Sequence, residues 1–151
     1  MPARSDEYVS WAEFRYQLRL WMRLSEEAAR EQGISPQQHQ LLLAARGYPG
    51  PTAPLITDLA ERLQLRHHSV VGLIDRMELD GLVRREEVGV GRGTSVLLTD
   101  AGLDALEAIS ATLRPELRTA AQALISALTE LVEPRRRSPR STQPHTAVAT
   151  R

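Results

Sequence analysis

Between Ile56 and Thr99 the chain carries two short apolar-periodic stretches, ITDLAERL and HHSVVGLIDRME, and a glycine-rich turn between two β-prone runs follows at once. Neither short helix can bury its apolar stripe alone, so the two must cross closely and the hairpin must fold back on them. That order predicts a helix-turn-helix with a β-hairpin wing, an arrangement suited to placing one helix in a DNA major groove. Leu59, Leu63, Leu65, Val70 and Leu73 supply apolar contact between the helices, and the small Ala60 permits close approach. Gln64 occupies the turn position where glycine is common, so a left-handed backbone there carries mild strain.

The second helix divides into faces at about 100 degrees per residue, which follows from about 3.6 residues per turn. Val70, Leu73, Ile74 and Met77 fall together and are expected in the core. Opposite them lie His68 and Gly72, flanked by Ser69, Asp75 and Arg76. Arg66, His67, His68 and Ser69 cluster at the N-terminal end, which a recognition helix pushes toward base edges. An arginine there can hold guanine O6 and N7 with two hydrogen bonds, and His or Ser can donate to base or phosphate acceptors. Gly72 either lets the backbone approach the groove wall or is simply a helix-weakening glycine. The hairpin tip, VGVGRGT, offers Arg92 as its only long side chain. Such an arginine suits a narrow minor groove, and as a bare surface charge it would merely solubilise the turn.

The flanking segments read as helices. Ser10 and Glu13 form a capping-box pair ahead of a helix to Gln32, with Gly33 as its C-terminal stop. Ser35-Pro36 starts a second helix that runs to Gly47, and after the loop YPGPTAP a third helix can begin at Pro54. Thr99 caps a long segment from Asp100 to about Val132, in which Pro115 predicts a kink or break. The apolar stripes on the first and last helices need a partner, and a second copy of the chain would cover them. The expected organisation is a helical dimerisation region over 1–34 and 99–133, a winged helix-turn-helix over 35–98, and a disordered basic tail over 134–151.

Composition sets limits rather than a function. At 151 residues, 42% hydrophobic and 25% charged, the chain suits one soluble globular domain with extensions. No signal peptide or membrane-spanning run is evident, so a cytoplasmic protein is expected. Without cysteine there is no disulfide, thiolate zinc site or thiol switch. The formal net charge is zero, and Arg62 to Arg92 holds six arginines against five acids, so nucleic-acid binding must rest on placement. His67 and His68 point about 100 degrees apart and lack a third ligand, so no metal or cofactor is expected. A hydrolytic role for either histidine with Asp75 lacks a nucleophile and an oxyanion motif, and no enzyme is expected.

From about Ile34 to Gly102 the chain resembles the MarR-type winged helix-turn-helix transcriptional regulators. The motifs that carry this are LAERLQL, SVVGLIDRMELDGLVRR and RGTSVLLTDAG. The resemblance implies a homodimer that reads a near-palindromic site in double-stranded DNA, with recognition helices in major grooves and wings in minor grooves. It aligns Arg92 with the family's wing arginine and places Arg66, His67, His68 and Ser69 at the start of the recognition helix. Arg76, in the family's Asp-Arg pair, would brace a phosphate or pair with Asp80. Two departures stand out: Val90 where an acid commonly precedes the wing arginine, and Arg66 where a capping serine is usual. Relatives bind a small aromatic or anionic effector in a crevice between the two parts. The expected function is therefore a dimeric DNA-binding regulator, a repressor relieved by such an effector. The alternative is a winged-helix protein-interaction module without specific DNA binding.

Overall fold

The computed structural model describes residues 5–133, and the tail expected over 134–151 lies outside them. The elements are α1 (Ser5–Glu31), α2 (Pro36–Arg46), α3 (Ile56–Leu63), α4 (His67–Leu79), β1 (Val83–Glu87), β2 (Thr94–Leu98) and α5 (Asp100–Val132). The fold is mainly α with one antiparallel hairpin, in which Val83 faces Leu98 and Glu87 faces Thr94. Helices α1 and α5 pack along each other, while α2, α3, α4 and the hairpin enclose a second part of the core. No helix among the described residues is long and apolar enough to cross a membrane.

Local chemistry explains most boundaries. Gly33, at φ 71, ends α1, and the Ile34 N–H reaches back to the Ala29 carbonyl at 3.0 Å. Ser35 caps α2 reciprocally: its Oγ accepts the Gln38 N–H, and the Gln38 side chain accepts the Ser35 N–H at 2.8 Å. Thr99 caps α5 by accepting the Gly102 N–H at 3.1 Å.

Three expected features are corrected. Helix α1 starts at Ser5, so Ser10 lies inside it rather than at its cap; Tyr8 in the added turn meets Trp11 edge-on, with ring centroids 5.5 Å apart. Helix α3 starts at Ile56, because Asp58 accepts the Leu55 N–H at 2.8 Å and Pro54 is buried beside the hairpin, accepting the Val96 N–H. Helix α5 continues through Pro115, so of the expected kink or break the break does not occur. Proline removes a single N–H there, and buried Ile109 and Ala127 anchor the helix on either side.

The buried pair Ser25 and His39 joins α1 to α2, with Oγ and Nδ1 3.3 Å apart. Burial holds the His39 imidazolium below the ordinary histidine range. As pH falls through about 6.5, the unfolded chain takes up a proton that the fold refuses, so stability is lost toward acid. Thermal melts at about pH 7.5 and 5.5 should show a larger acid loss of Tm for the wild type than for His39→Gln. Equal losses would assign the acid sensitivity to other groups.

Candidate nucleic-acid interface

Helix α4 buries one face and presents the other, as its periodicity dictates. Val70, Ile74 and Met77 are fully buried and Leu73 nearly so. Arg66, His67, His68, Ser69 and Arg76 are exposed, and Gly72 is half-buried on the same outer stripe as His68 and Arg76. The turn that aims this helix holds Gln64 at φ 52, ψ 41, the left-handed conformation expected of it. Two bonds offset the strain: the Leu65 N–H donates to the Ala60 carbonyl at 3.0 Å, and the Gln64 side chain donates to the Glu61 carbonyl at 2.6 Å.

The start of α4 breaks the usual rules of helix stability. Arg66 is the N-cap residue but makes no side-chain cap bond, and the first turn contains no acid. Cationic Arg66 beside the positive end of the helix dipole is unfavourable for the isolated fold. It becomes favourable when an anion meets the open N–H groups of that turn. Such a local conflict marks a place where the sequence serves something other than stability.

Farther along α4, Arg76 does not pair with Asp80. The Gln38 side chain donates to Asp80 instead, at 2.8 Å. Arg76 folds back across Gly72, where a Cβ would stand 3.8 Å from its guanidinium. The glycine thus leaves room for the arginine as well as for an approaching backbone.

At the wing tip Gly89, Gly91 and Gly93 all have positive φ, and the Val88 N–H donates to the Gly93 carbonyl at 3.0 Å to close the loop. The Arg92 stem lies over Gly89, and Val90 is completely exposed. Arg92 stands apart from the α4 residues, on a different element.

The sequence reading missed the residue that joins wing to helix. Arg85, on β1, donates to Asp75 Oδ1 at 2.6 Å and to Glu78 Oε2, and its backbone N–H donates to Glu78 Oε1 at 2.9 Å. Asp75 and Glu78, three apart on one flank of α4, were the available signal, but the arginine that meets them is remote in sequence.

This changes the local charge account. Arg85 is one cation shared between Asp75 and Glu78, and Arg84 pairs with Glu86. Among the described residues, Arg66, Arg76 and Arg92 engage no carboxylate. A nearly balanced sum therefore conceals a face whose free charges are mainly positive.

A cavity of about 350 Å³ opens between α1, α2 and α3, walled by Met22, Pro36, Leu63 and Leu65 with Glu26 and Arg62 among its polar groups. Tyr48 lies outside it, with the Arg62 guanidinium 5.4 Å from its ring centre. No cluster of three or more metal-ligating side chains occurs among the described residues.

Residues 32–93 match the sequence model of the MarR family. No curated protein sequence matches the chain. Its fold is similar to that of AbsC, a MarR family transcriptional regulator from Streptomyces coelicolor, at 21% identity over 89% of this chain and 94% of AbsC, with a TM-score of 0.72. The transcriptional regulator MosR of M. tuberculosis, solved in complex with DNA, aligns at 21% identity over 79% of this chain and 92% of its own, with a TM-score of 0.56. The S. aureus MepR–DNA complex aligns at 19% identity over 79% and 91% of the two chains, with a TM-score of 0.59.

Proposed function

We propose, from the MarR-family winged helix-turn-helix at residues 32–93, that this protein is a homodimeric, sequence-specific DNA-binding transcriptional regulator. The observation that carries the proposal is the set of three carboxylate-free arginines, Arg66, Arg76 and Arg92, on the exposed side of α4 and on the wing. In this reading Arg66, His67, His68 and Ser69 enter the major groove, with Gly72 and Arg76 following along its wall. Arg92 enters the adjacent minor groove. That MosR and MepR, which share the fold, were solved in complex with DNA supports DNA binding.

Regulation is proposed as repression relieved by a small aromatic or anionic effector. The crevice beside Met22, Leu63 and Arg62 touches α1, α2 and α3 at once, so a ligand there would bias how the helix-turn-helix sits on α1. Only a ligand that binds one arrangement better than the other can shift that balance. The alternative, a protein-interaction module, drew its support from the balanced charge, and the pairing of Asp75, Glu78 and Glu86 weakens that support.

Anisotropy titrations against DNA selected from genomic fragments should find a near-palindromic site. Log affinity should fall by about 0.9 per phosphate contact for each tenfold rise in salt. Arg92→Ala should weaken binding by about 1.4–2.8 kcal/mol, about tenfold to a hundredfold. Equal affinity for every fragment would defeat sequence specificity, and an unchanged affinity for Arg92→Ala would remove the wing from the interface.

A further inference from the structure

Two contacts on separate elements can read DNA as a unit only if something fixes the distance between them. Helix α4 is held by the core through Val70, Leu73, Ile74 and Met77. The hairpin is held by Val83 at the base of β1 and along β2 by buried Val96 and Ser95, the latter bridged to Leu55, while the outer part of β1 and the tip are uncovered: Glu86, Glu87 and all residues from Val88 to Gly93 are exposed. Arg85 sits at the boundary between these regimes. It opposes Val96 in the ladder, so its side chain shares the inward face of the hairpin with Val83 and Val96. From there it reaches Asp75 and Glu78 on α4 and approaches the Val71 carbonyl at 3.4 Å. The Glu78 carboxylate also takes the outward N–H of Arg85, which an edge strand would otherwise leave to solvent. The clamp is therefore made to backbone as well as to side chain.

Beyond Arg85, β1 and the tip form a lever. Two further rungs, Glu86 with Ser95 and Glu87 with Thr94, lead to the tip, and the Ser95 hydroxyl stiffens them by donating to the Glu86 carbonyl at 3.1 Å. At about 3.3 Å per residue the tip lies roughly 10 Å or more from the clamp. A pivot of about 10 degrees there displaces Arg92 by about 2 Å, beyond the roughly 0.5 Å within which a binding constellation must be held.

We propose that Arg85 is a positioning residue. By bridging Asp75 and Glu78 it sets the pitch of the wing against the recognition helix and makes the Arg92 contact depend on where α4 is seated. This rests on the DNA-binding function proposed above and assigns a task to a residue that need not touch DNA.

The test is a double-mutant cycle on DNA affinity in the full chain. It uses Arg85→Met, which keeps the apolar stem, and Arg92→Ala. In the parent protein Arg92→Ala should cost about tenfold or more; with Arg85→Met already present it should cost less than about threefold. Identical costs in both backgrounds would overturn the proposal and leave Arg85 a local ion pair. Should Arg85→Met not fold, the doubly substituted Asp75→Asn, Glu78→Gln protein opens the clamp from the helix side. Removing two negative charges would by itself strengthen DNA binding, so a shrunken Arg92→Ala effect in that background can come only from lost positioning. An undiminished effect counts against it. If the unsubstituted protein selects no DNA site, the functional reading fails and this inference with it. Selective binding with an additive cycle removes the inference alone.

Discussion

Replacing Gly102 by alanine should lower the unfolding free energy by about 3 kcal/mol, the upper range for forcing atoms into a filled site. A Cβ at this position would lie 2.1 Å from the Leu82 carbonyl oxygen and 3.1 Å from its carbon. The clash is with backbone, and that backbone is tied down on both sides. The Leu82 carbonyl accepts the Thr99 N–H at 3.1 Å, and the Leu82 N–H donates to the Met77 carbonyl at 2.9 Å. Gly102 cannot retreat either, since its own N–H is held by the Thr99 hydroxyl, which donates to the Gly81 carbonyl at 2.6 Å. One glycine thus lets the first turn of α5 seat against the connection between α4 and β1. Denaturant unfolding measures the loss. Gly72→Ala is the control: the space above Gly72 holds only the end of Arg76, and the helix should gain up to about 1 kcal/mol. Equal effects at the two glycines would show that helix propensity, rather than close approach, governs Gly102.

What the sequence disclosed and what it concealed follow from the range of the interactions. Caps and stops are set by residues within four positions, so Ser35, Gly33 and Thr99 could be read directly, as could the left-handed backbone at Gln64. The buried face of α4 is a matter of rotation per residue, and Val70, Leu73, Ile74 and Met77 emerged together. Pro115 does not break α5, because the helix is anchored by packing on both sides of one missing hydrogen bond. Ser10 misled because a good capping pair does not compel a helix to start there when the preceding turn is also favourable. The Arg85 clamp was hidden for another reason: its two carboxylates lie ten and seven residues away on a different element, and no periodicity encodes that meeting. The candidate DNA face was legible as a list of residues. Which of its charges are free was not, because that depends on which acids are already paired.

The largest effect on DNA binding should come from substitutions far from the wing. Helix α5 exposes Leu117, Ile125, Leu128 and Val132 along one stripe, and α1 exposes Val9, Tyr16 and Leu20 at comparable spacing. Such stripes on paired helices are costly to leave in water, since full burial of each side chain is worth about 1.5–3 kcal/mol. A second copy, presenting the same stripes, would bury them in an isologous contact. Placing Ile125→Arg and Leu128→Arg together in the stripe would force two unpaired cations into that contact, where several kcal/mol of desolvation opposes association. Sedimentation velocity should show a dimer for the parent protein and a monomer for the variant, with circular dichroism unchanged. The variant should bind the selected DNA about a hundredfold or more weakly, because the second half-site is then no longer bound within the same complex. A dimer that survives both arginines would place the interface elsewhere. A monomer that keeps the parent affinity would show that a single winged helix suffices to hold the site.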